Sequence, residues 1–349
     1  MIPVAENVSL KQYNTFGIDA KARWLGKFTS VDELAETLEW VAGRRLLVLG
    51  GGSNVLLTGD IDGVVLLNGI TGIDLVDEDE DYVYVRAGAG ENWNGLVQYC
   101  IGRDWAGLEN LSLIPGNVGA APMQNIGAYG VEIRDVFWAL EAWSLADRRV
   151  VTFTLSDCAF GYRESVFKRQ LKGQFVILNV ILRLCKQPIF HTSYGAIRDE
   201  LGDREPSIRA IADAVIRIRR SKLPDPAEIG NAGSFFKNPT VPAAQYQQLK
   251  EQFPGIVGYP TVKADAIEGT EAAVRGLGGE VKLAAGWLIE QCGWKGFRRG
   301  EVGVHARQAL VLVNYGKARG EELYALSEEV LQSVQDRFGV ILEREVNVI

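Results

Sequence analysis

The sequence predicts an α+β protein, and three observations carry that reading. Short apolar runs bounded by glycine read as strands, longer stretches with apolar residues at helical spacing read as helices, and a Leu223-Pro224-Asp225-Pro226 break divides the chain. Ser30-Val31-Asp32-Glu33 is a capping-box pattern, followed by Val31, Leu34, Leu38 and Val41 on one helical face and by Gly43 as the stop. Leu46–Leu49 then reads as a buried strand ending at Gly50-Gly51-Gly52-Ser53-Asn54, with further strands at Val55–Leu57 and Val64–Leu67. Tyr82–Arg86 reads as a half-exposed strand and Trp93–Ile101 as a helix. Residues 136–145, 149–155 and 175–184 read as strands, the first two joined by a turn at Ala146-Asp147. Ile208, Ile211, Ala212 and Val215 mark a helix that the proline pair must end, and a domain boundary is placed there. Beyond it, helices are expected near 241–253, 283–292 and 320–338, with strands near 309–314 and 340–348. No internal repeat is visible.

Composition narrows the function. At 349 residues the chain exceeds one ordinary core, so two or three domains are expected. Hydrophobic residues at 47% and charged residues at 23% suit a soluble globular protein. No apolar run is long enough to span a bilayer and Met1–Leu10 lacks a signal-peptide pattern, so no membrane partner is expected. Cys100, Cys158, Cys185 and Cys292 are widely spaced, which argues against a metal site and for a reduced, cytoplasmic chain. A net charge of −7 argues against nucleic acid, yet two basic clusters remain for anionic ligands. These are Arg217, Arg219, Arg220 and Lys222, and Lys295, Arg298 and Arg299; a solvated helix face is the plainer reading, but the first runs straight into Lys222-Leu223-Pro224, where the helix must stop, which favours a site there.

Three constellations bear on chemistry. The turn Gly50-Gly51-Gly52-Ser53-Asn54 follows a strand, so its amides can cradle a pyrophosphate, although Val55 breaks the G-x-G-x-x-G dinucleotide fingerprint and a plain turn fits equally well. In Ile114-Pro115-Gly116-Asn117-Val118-Gly119-Ala120-Ala121-Pro122, running into Gln124-Asn125-Ile126-Gly127-Ala128-Tyr129-Gly130, small side chains would let a large flat group lie against the backbone. Asn231-Ala232-Gly233-Ser234 puts a serine on a tight turn. A hydrolase elbow needs glycine at position 232, and only His191 and His305 exist as bases, so Ser234 is better suited to donating a proton than to nucleophilic attack. Alone, each of Arg163, Ser234 and Glu345 would be an ordinary turn or surface group.

Taken in order, Asn14–Ile18, Gly50–Leu56, Ile114–Gly130, Gly161–Arg163, Ser221–Pro226, Gly230–Pro239, Ala285–Ile289 and Leu342–Val346 resemble the UDP-N-acetylenolpyruvoylglucosamine reductases of bacterial peptidoglycan synthesis. The resemblance covers nearly the whole chain. It implies a two-subdomain FAD-binding fold of the vanillyl-alcohol-oxidase-like type, residues 1–70 and 71–215, with a C-terminal α+β substrate domain at 216–349. Residues expected at FAD are Gly50, Gly51, Gly52, Ser53, Asn54, Pro115, Gly116, Gly119, Asn125, Gly127 and Ala128. Tyr194, in a segment like the tyrosine loop of the family's first type, would contact the nucleotide sugar together with Lys222, Asn238, Tyr259, Lys295 and Gln308. Arg163, Ser234 and Glu345 would be catalytic.

The implied reaction is NADPH-dependent reduction of UDP-N-acetylglucosamine enolpyruvate through non-covalent FAD by a monomer. Asn117, where relatives carry a smaller residue, departs from the pattern, and the chain ends four residues after Glu345. A flavin-dependent sugar oxidase of the same fold and a non-catalytic nucleotide-sugar binder are the alternatives.

Overall fold

A computed structural model of the chain describes residues 2–261 and 279–349. It divides into two compact units, one of residues 1–14, 19–53 and 60–222, the other of 15–18, 54–59 and 223–349.

In the first unit a four-stranded sheet runs in the order Val4–Ser9, Lys21–Phe28, Ile61–Asn68, Leu46–Leu49. The last three are mutually parallel, and the helix Val31–Val41 makes the crossover between Lys21–Phe28 and Leu46–Leu49. Ser30 Oγ accepts from Glu33 N at 3.2 Å, as the capping pattern predicts, but the Glu33 carboxylate reaches one residue further, accepting from Thr29 N at 2.6 Å. Gly43 adopts φ 78° at the helix end. Leu46–Leu49 differs from expectation: only Leu49 is buried, because the strand lies at the sheet edge and leaves its other residues half covered.

A five-stranded antiparallel sheet follows, in the order Arg149–Thr154, Phe137–Ser144, Phe175–Cys185, Tyr82–Gly88, Ile73–Glu78. Its buried face (Val83, Val85, Leu140, Val180, Leu182) packs with Trp93, Leu96 and Val97 of the helix Trp93–Ile101. Alternation along Tyr82–Gly88 gives the half-exposed pattern read from sequence. The helix Ile208–Lys222 shares Ile211, Val215 and Ile218 with a core cluster that includes Ile197 and Leu201 of the helix Gly195–Leu201.

The second unit holds two three-stranded sheets, Thr240–Pro242 with Glu280–Leu283 and Gly258–Thr261, and Arg298–Arg299 with Val302–Val304 and Leu312–Asn314. Helices Ala243–Gln252, Ala285–Gln291 and Gly320–Phe338 lie where periodicity puts them. The expected strand at 340–348 is not continuous. Glu345 N donates to Phe235 O, and two residues later Asn347 N donates to Asn54 O, so the segment changes neighbours midway and only Asn347–Val348 pairs as a strand, parallel to Val55–Leu56. Among the described residues no helix is long and apolar enough to cross a membrane.

Candidate active site

The two glycine-rich segments of the first unit meet. Ser53 Oγ donates to Pro115 O at 3.1 Å, and a Cβ built on Gly51 would lie 3.0 Å from Gly116 Cα and 2.8 Å from Asn117 Oδ1. A Cβ on Gly52, at φ 60°, would fall 2.0 Å from Tyr13 O. Asn117 fills the space between the segments: its side-chain amide donates to Gly90 O at 2.9 Å while its Cβ faces Gly50. The residue that departs from the family pattern therefore acts as a spacer holding the two loops. Val118 N and Gly119 N bond Glu91 O and Ala89 O, so the second loop is pinned to a third glycine-containing turn at 88–90. The result is a backbone-lined cradle almost without side chains, which suits a nucleotide cofactor.

Arg163 belongs to the same unit. It sits at φ 55° in a two-residue turn closed by Gly161 N to Glu164 O at 3.0 Å, a conformation usually left to glycine or asparagine. Such strain persists where the surroundings over-determine it. Here Asn125, completely buried at φ 46°, donates to Gly161 O at 2.9 Å, and Arg163 Nη2 donates to Gly127 O at 2.7 Å. The guanidinium is thus tied to Gly127 and Ala128, which form a hairpin with Val131–Glu132 through Tyr129 (φ 52°) and Gly130 (φ 84°). Two positive φ angles in succession make the I′ form of turn.

Tyr129 and Arg219 were not legible as site residues from the turn or the charge run alone. Their side chains are hydrogen-bonded, burial pushes the Tyr129 phenol up and the Arg219 guanidinium down, and the Arg163 charge weighs further against Arg219. Arg219 Nε also donates to Leu113 O at 3.2 Å. The signal was periodicity: Arg219 lies four residues after Val215 and seven after Ala212, on the buried stripe of its helix, whereas Arg217 and Arg220 face solvent. Tyr194, 50% exposed, packs edge-on against Tyr129 with ring centres 5.3 Å apart, and Lys222 is exposed at the helix end.

In the second unit Ser234 and Glu345 lie on segments that are hydrogen-bonded to each other through Phe235. Asn231 Oδ1 accepts from Gly233 N at 3.0 Å, and Gly233 takes φ 69°, which turns the chain tightly before Ser234. Phe235 then bonds on both sides, its N–H to Leu310 O at 2.7 Å and its carbonyl from Glu345 N at 2.8 Å. Glu345 is 9% exposed. Its carbonyl accepts from Asn54 Nδ2 at 3.3 Å, so the Asn54 side chain is engaged with the Glu345 backbone, while Gly50–Ser53 lie in the other unit. Gln308 Oε1 accepts from Leu310 N at 3.3 Å, which links the Gln308 loop to the Ser234 turn. Asn238 Oδ1 accepts from Ala285 N at 3.0 Å at the start of a helix, Lys295 pairs with Glu290 at 2.9 Å, and Tyr259 is 58% exposed. Arg163, Tyr194 and Lys222 belong to one unit and Ser234, Asn238, Tyr259, Lys295, Gln308 and Glu345 to the other.

A glycine-lined cradle beside a strained arginine, followed by a separate unit carrying a buried glutamate, defines a nucleotide-cofactor protein of the FAD-binding class, and residues 25–154 match the family described as FAD binding domain. Residues 225–349 match the UDP-N-acetylenolpyruvoylglucosamine reductase C-terminal domain. The chain is 49% identical over 348 residues to the UDP-N-acetylenolpyruvoylglucosamine reductase of Pseudomonas putida, covering 98% of each, and 47% identical over 350 residues to that of Flavobacterium johnsoniae, covering 99% of each. The crystal structure of UDP-N-acetylenolpyruvylglucosamine reductase from Thermus caldophilus shares the fold, with a TM-score of 0.66 at 24% identity over 100% of this chain and 99% of that one. The chain belongs to the UDP-N-acetylenolpyruvoylglucosamine reductase family.

Proposed function

We propose that this chain reduces UDP-N-acetylglucosamine enolpyruvate to UDP-N-acetylmuramate with NADPH, using bound FAD, in peptidoglycan precursor synthesis. Family membership supports the reaction. The observation that carries the cofactor assignment is the pair of glycine-rich segments packed so closely that side chains are excluded at Gly51 and Gly116. Backbone amides of Gly50–Ser53 and of Gly116 and Asn117 would hold the FAD pyrophosphate, Gly119 would let it approach the backbone, and Asn125, Gly127 and Ala128 would border its ring system. We assign residues 1–70 and 71–215 to FAD and 216–349 to the nucleotide sugar, with the single chain as the working unit in the cytoplasm.

When FAD is bound, the chemistry supplied at the site is two-electron transfer between NADPH and the enolpyruvyl group. Reduction of the enolpyruvyl double bond places a hydride on the terminal carbon and leaves negative charge on the next carbon and the adjoining carboxylate. Arg163, with its guanidinium fixed on Gly127 O, would stabilise that charge. Ser234 would donate its hydroxyl proton to the carbanionic carbon, and among the described residues the Ser234 hydroxyl makes no hydrogen bond that would compete. Glu345 would assist at the carboxylate end. Tyr194, Lys222, Asn238, Tyr259, Lys295 and Gln308 would contact the nucleotide sugar, the two lysines neutralising phosphate charge.

The test is Ser234→Ala, with each half-reaction followed by flavin absorbance. The variant should keep its flavin and its bleaching by NADPH while recovery of colour on adding the enolpyruvyl nucleotide sugar slows by about 10²–10⁴-fold. Recovery at the parent rate would remove Ser234 from this role. Rapid oxygen consumption with simple sugars as the only reductant would instead favour a sugar oxidase.

A further inference from the structure

Among the described residues Lys237 is a buried cation that no role described above uses. Phe236 and Arg344 form an antiparallel bridge, flanked by Lys237 N to Glu343 O and Glu345 N to Phe235 O, both at 2.8 Å. Residues opposite each other in an antiparallel pair share a face, and successive residues alternate. Phe235, Lys237, Glu343 and Glu345 therefore point to one side of this short ribbon and Phe236 and Arg344 to the other. Arg344 is occupied on its own side, with Nε donating to Ser327 Oγ at 2.9 Å and its guanidinium 4.7 Å from the Tyr324 ring centre.

On the shared face two charged residues are buried, Lys237 at 8% and Glu345 at 9% exposure. Lys237 Nζ pairs with Glu343 at 3.2 Å, but the Glu343 side chain is 66% exposed. A lysine can reach an exposed carboxylate with its ammonium in water, because its long stem lets the head group extend outward. Keeping the ammonium buried carries a desolvation cost that a pair with a surface carboxylate does not require. The burial is explained if the charge also serves the buried carboxylate two residues along the ribbon.

We propose that Lys237 is a positioning residue for Glu345: its buried ammonium balances the Glu345 carboxylate on the shared face of the ribbon and so holds that carboxylate where it is presented to the substrate, the pair with exposed Glu343 being dispensable. This deepens the proposed reaction and rests on Glu345 acting in it.

The experiment uses the flavin-loaded full chain with Lys237→Met, Lys237→Arg, Glu343→Gln, Glu345→Gln and the Lys237→Met/Glu345→Gln double variant. Lys237→Met should slow flavin reoxidation by the nucleotide sugar by about 10- to 100-fold, with substrate KM moving by no more than about threefold and bleaching by NADPH unchanged. Lys237→Arg should recover most of the loss, and Glu343→Gln should stay within about threefold of the parent. Lys237→Met should also melt about 5 °C or more below the parent, because it strands a buried carboxylate, and adding Glu345→Gln should restore much of that loss. If Lys237→Met does not fold, the same comparison is made between the double variant and Glu345→Gln: similar melting temperatures support the pairing. A double variant that melts well below Glu345→Gln, or a Glu343→Gln variant as slow as Lys237→Met, overturns the inference. Slow reoxidation in Glu345→Gln with parental rates in Lys237→Met also overturns it while leaving the reaction intact. Parental reoxidation in Glu345→Gln would instead sink the role of Glu345 itself.

Discussion

Replacing Gly116 by alanine tests whether the loop contact is a flavin cradle or only a structural joint. Gly116 adopts φ 110°, where an alanine costs about 1–3 kcal/mol. Its new Cβ would lie 2.5 Å from Ser53 Oγ. Ser53 can rotate away, but it then gives up the bond to Pro115 O, worth about 1 kcal/mol. The sum is at least about 2 kcal/mol, or about 30-fold in FAD affinity if the loop must regain its parent shape to bind. Titration of FAD into apoprotein, followed by quenching of flavin fluorescence, reads this directly. The double variant Gly116→Ala/Ser53→Ala removes the close contact but also lacks the bond to Pro115 O, so it keeps both costs and should bind FAD within about threefold of Gly116→Ala alone. Binding of FAD to Gly116→Ala within threefold of the parent, alongside a lowered melting temperature, would mean that the glycines serve the loop joint alone, and the cradle assignment would fall.

Arg163→Lys keeps the charge but loses the planar fork tied to Gly127 O, so reoxidation by the nucleotide sugar should slow by about 10²-fold with flavin content unchanged, measured by stopped-flow absorbance. Asn125→Ala removes a buried side chain that donates to Glu132 at 2.9 Å and to Gly161 O at 2.9 Å and accepts from Arg134 N at 3.2 Å. A loss of about 2–4 kcal/mol and a fall in melting temperature of about 5–15 °C should appear in calorimetry, and an unchanged temperature would contradict the bond network. Burial pushes the Cys100 thiol from 9.0 up to about 12. Below pH 9 the thiol is neutral in both folded and unfolded chains; between 9 and 12 only the unfolded chain ionises, so stability is lost as pH rises through that window. Urea unfolding at pH 8 and 10.5 should therefore show a loss of stability in the parent to which Cys100 contributes about 2 kcal/mol and Cys158, whose thiol burial also pushes up to about 12, a similar share, so Cys100→Ala should lose about 2 kcal/mol less than the parent.

Much of the fold was legible because its signals are local. The Val31–Val41 and Trp93–Ile101 helices carry their own caps, and Ser30 and Asn92 each accept the backbone N–H three residues on. The edge position of Leu46–Leu49 was not legible, since an apolar run reads the same in the middle of a sheet and at its margin. The broken C-terminal strand was missed for a related reason. Alternation along 340–348 records which side chains face inward, but not that the backbone partner changes from Phe235 to Asn54.

The site shows the same division between local and distant causes. Gly51 and Gly52 announce themselves in sequence because they sit where backbone meets backbone, and Gly116 because its φ of 110° disfavours a side chain. Side-chain roles are less visible. Arg219 differs from Arg217 only by the helical stripe it falls on, and Asn117 looks like a departure from pattern until its amide is found holding Gly90 O. Glu345 is held by Phe235 and by Asn54, and the latter lies 291 residues away in sequence. A glutamate whose backbone is held by remote segments leaves no mark on its own neighbours in sequence. The burial of Lys237 beside it matters for that reason: a charged residue kept from solvent on the same ribbon face is the nearest chemical trace of what Glu345 requires. Removing that cation while leaving the carboxylate, and then removing both, separates the demand of the fold from the demand of the reaction.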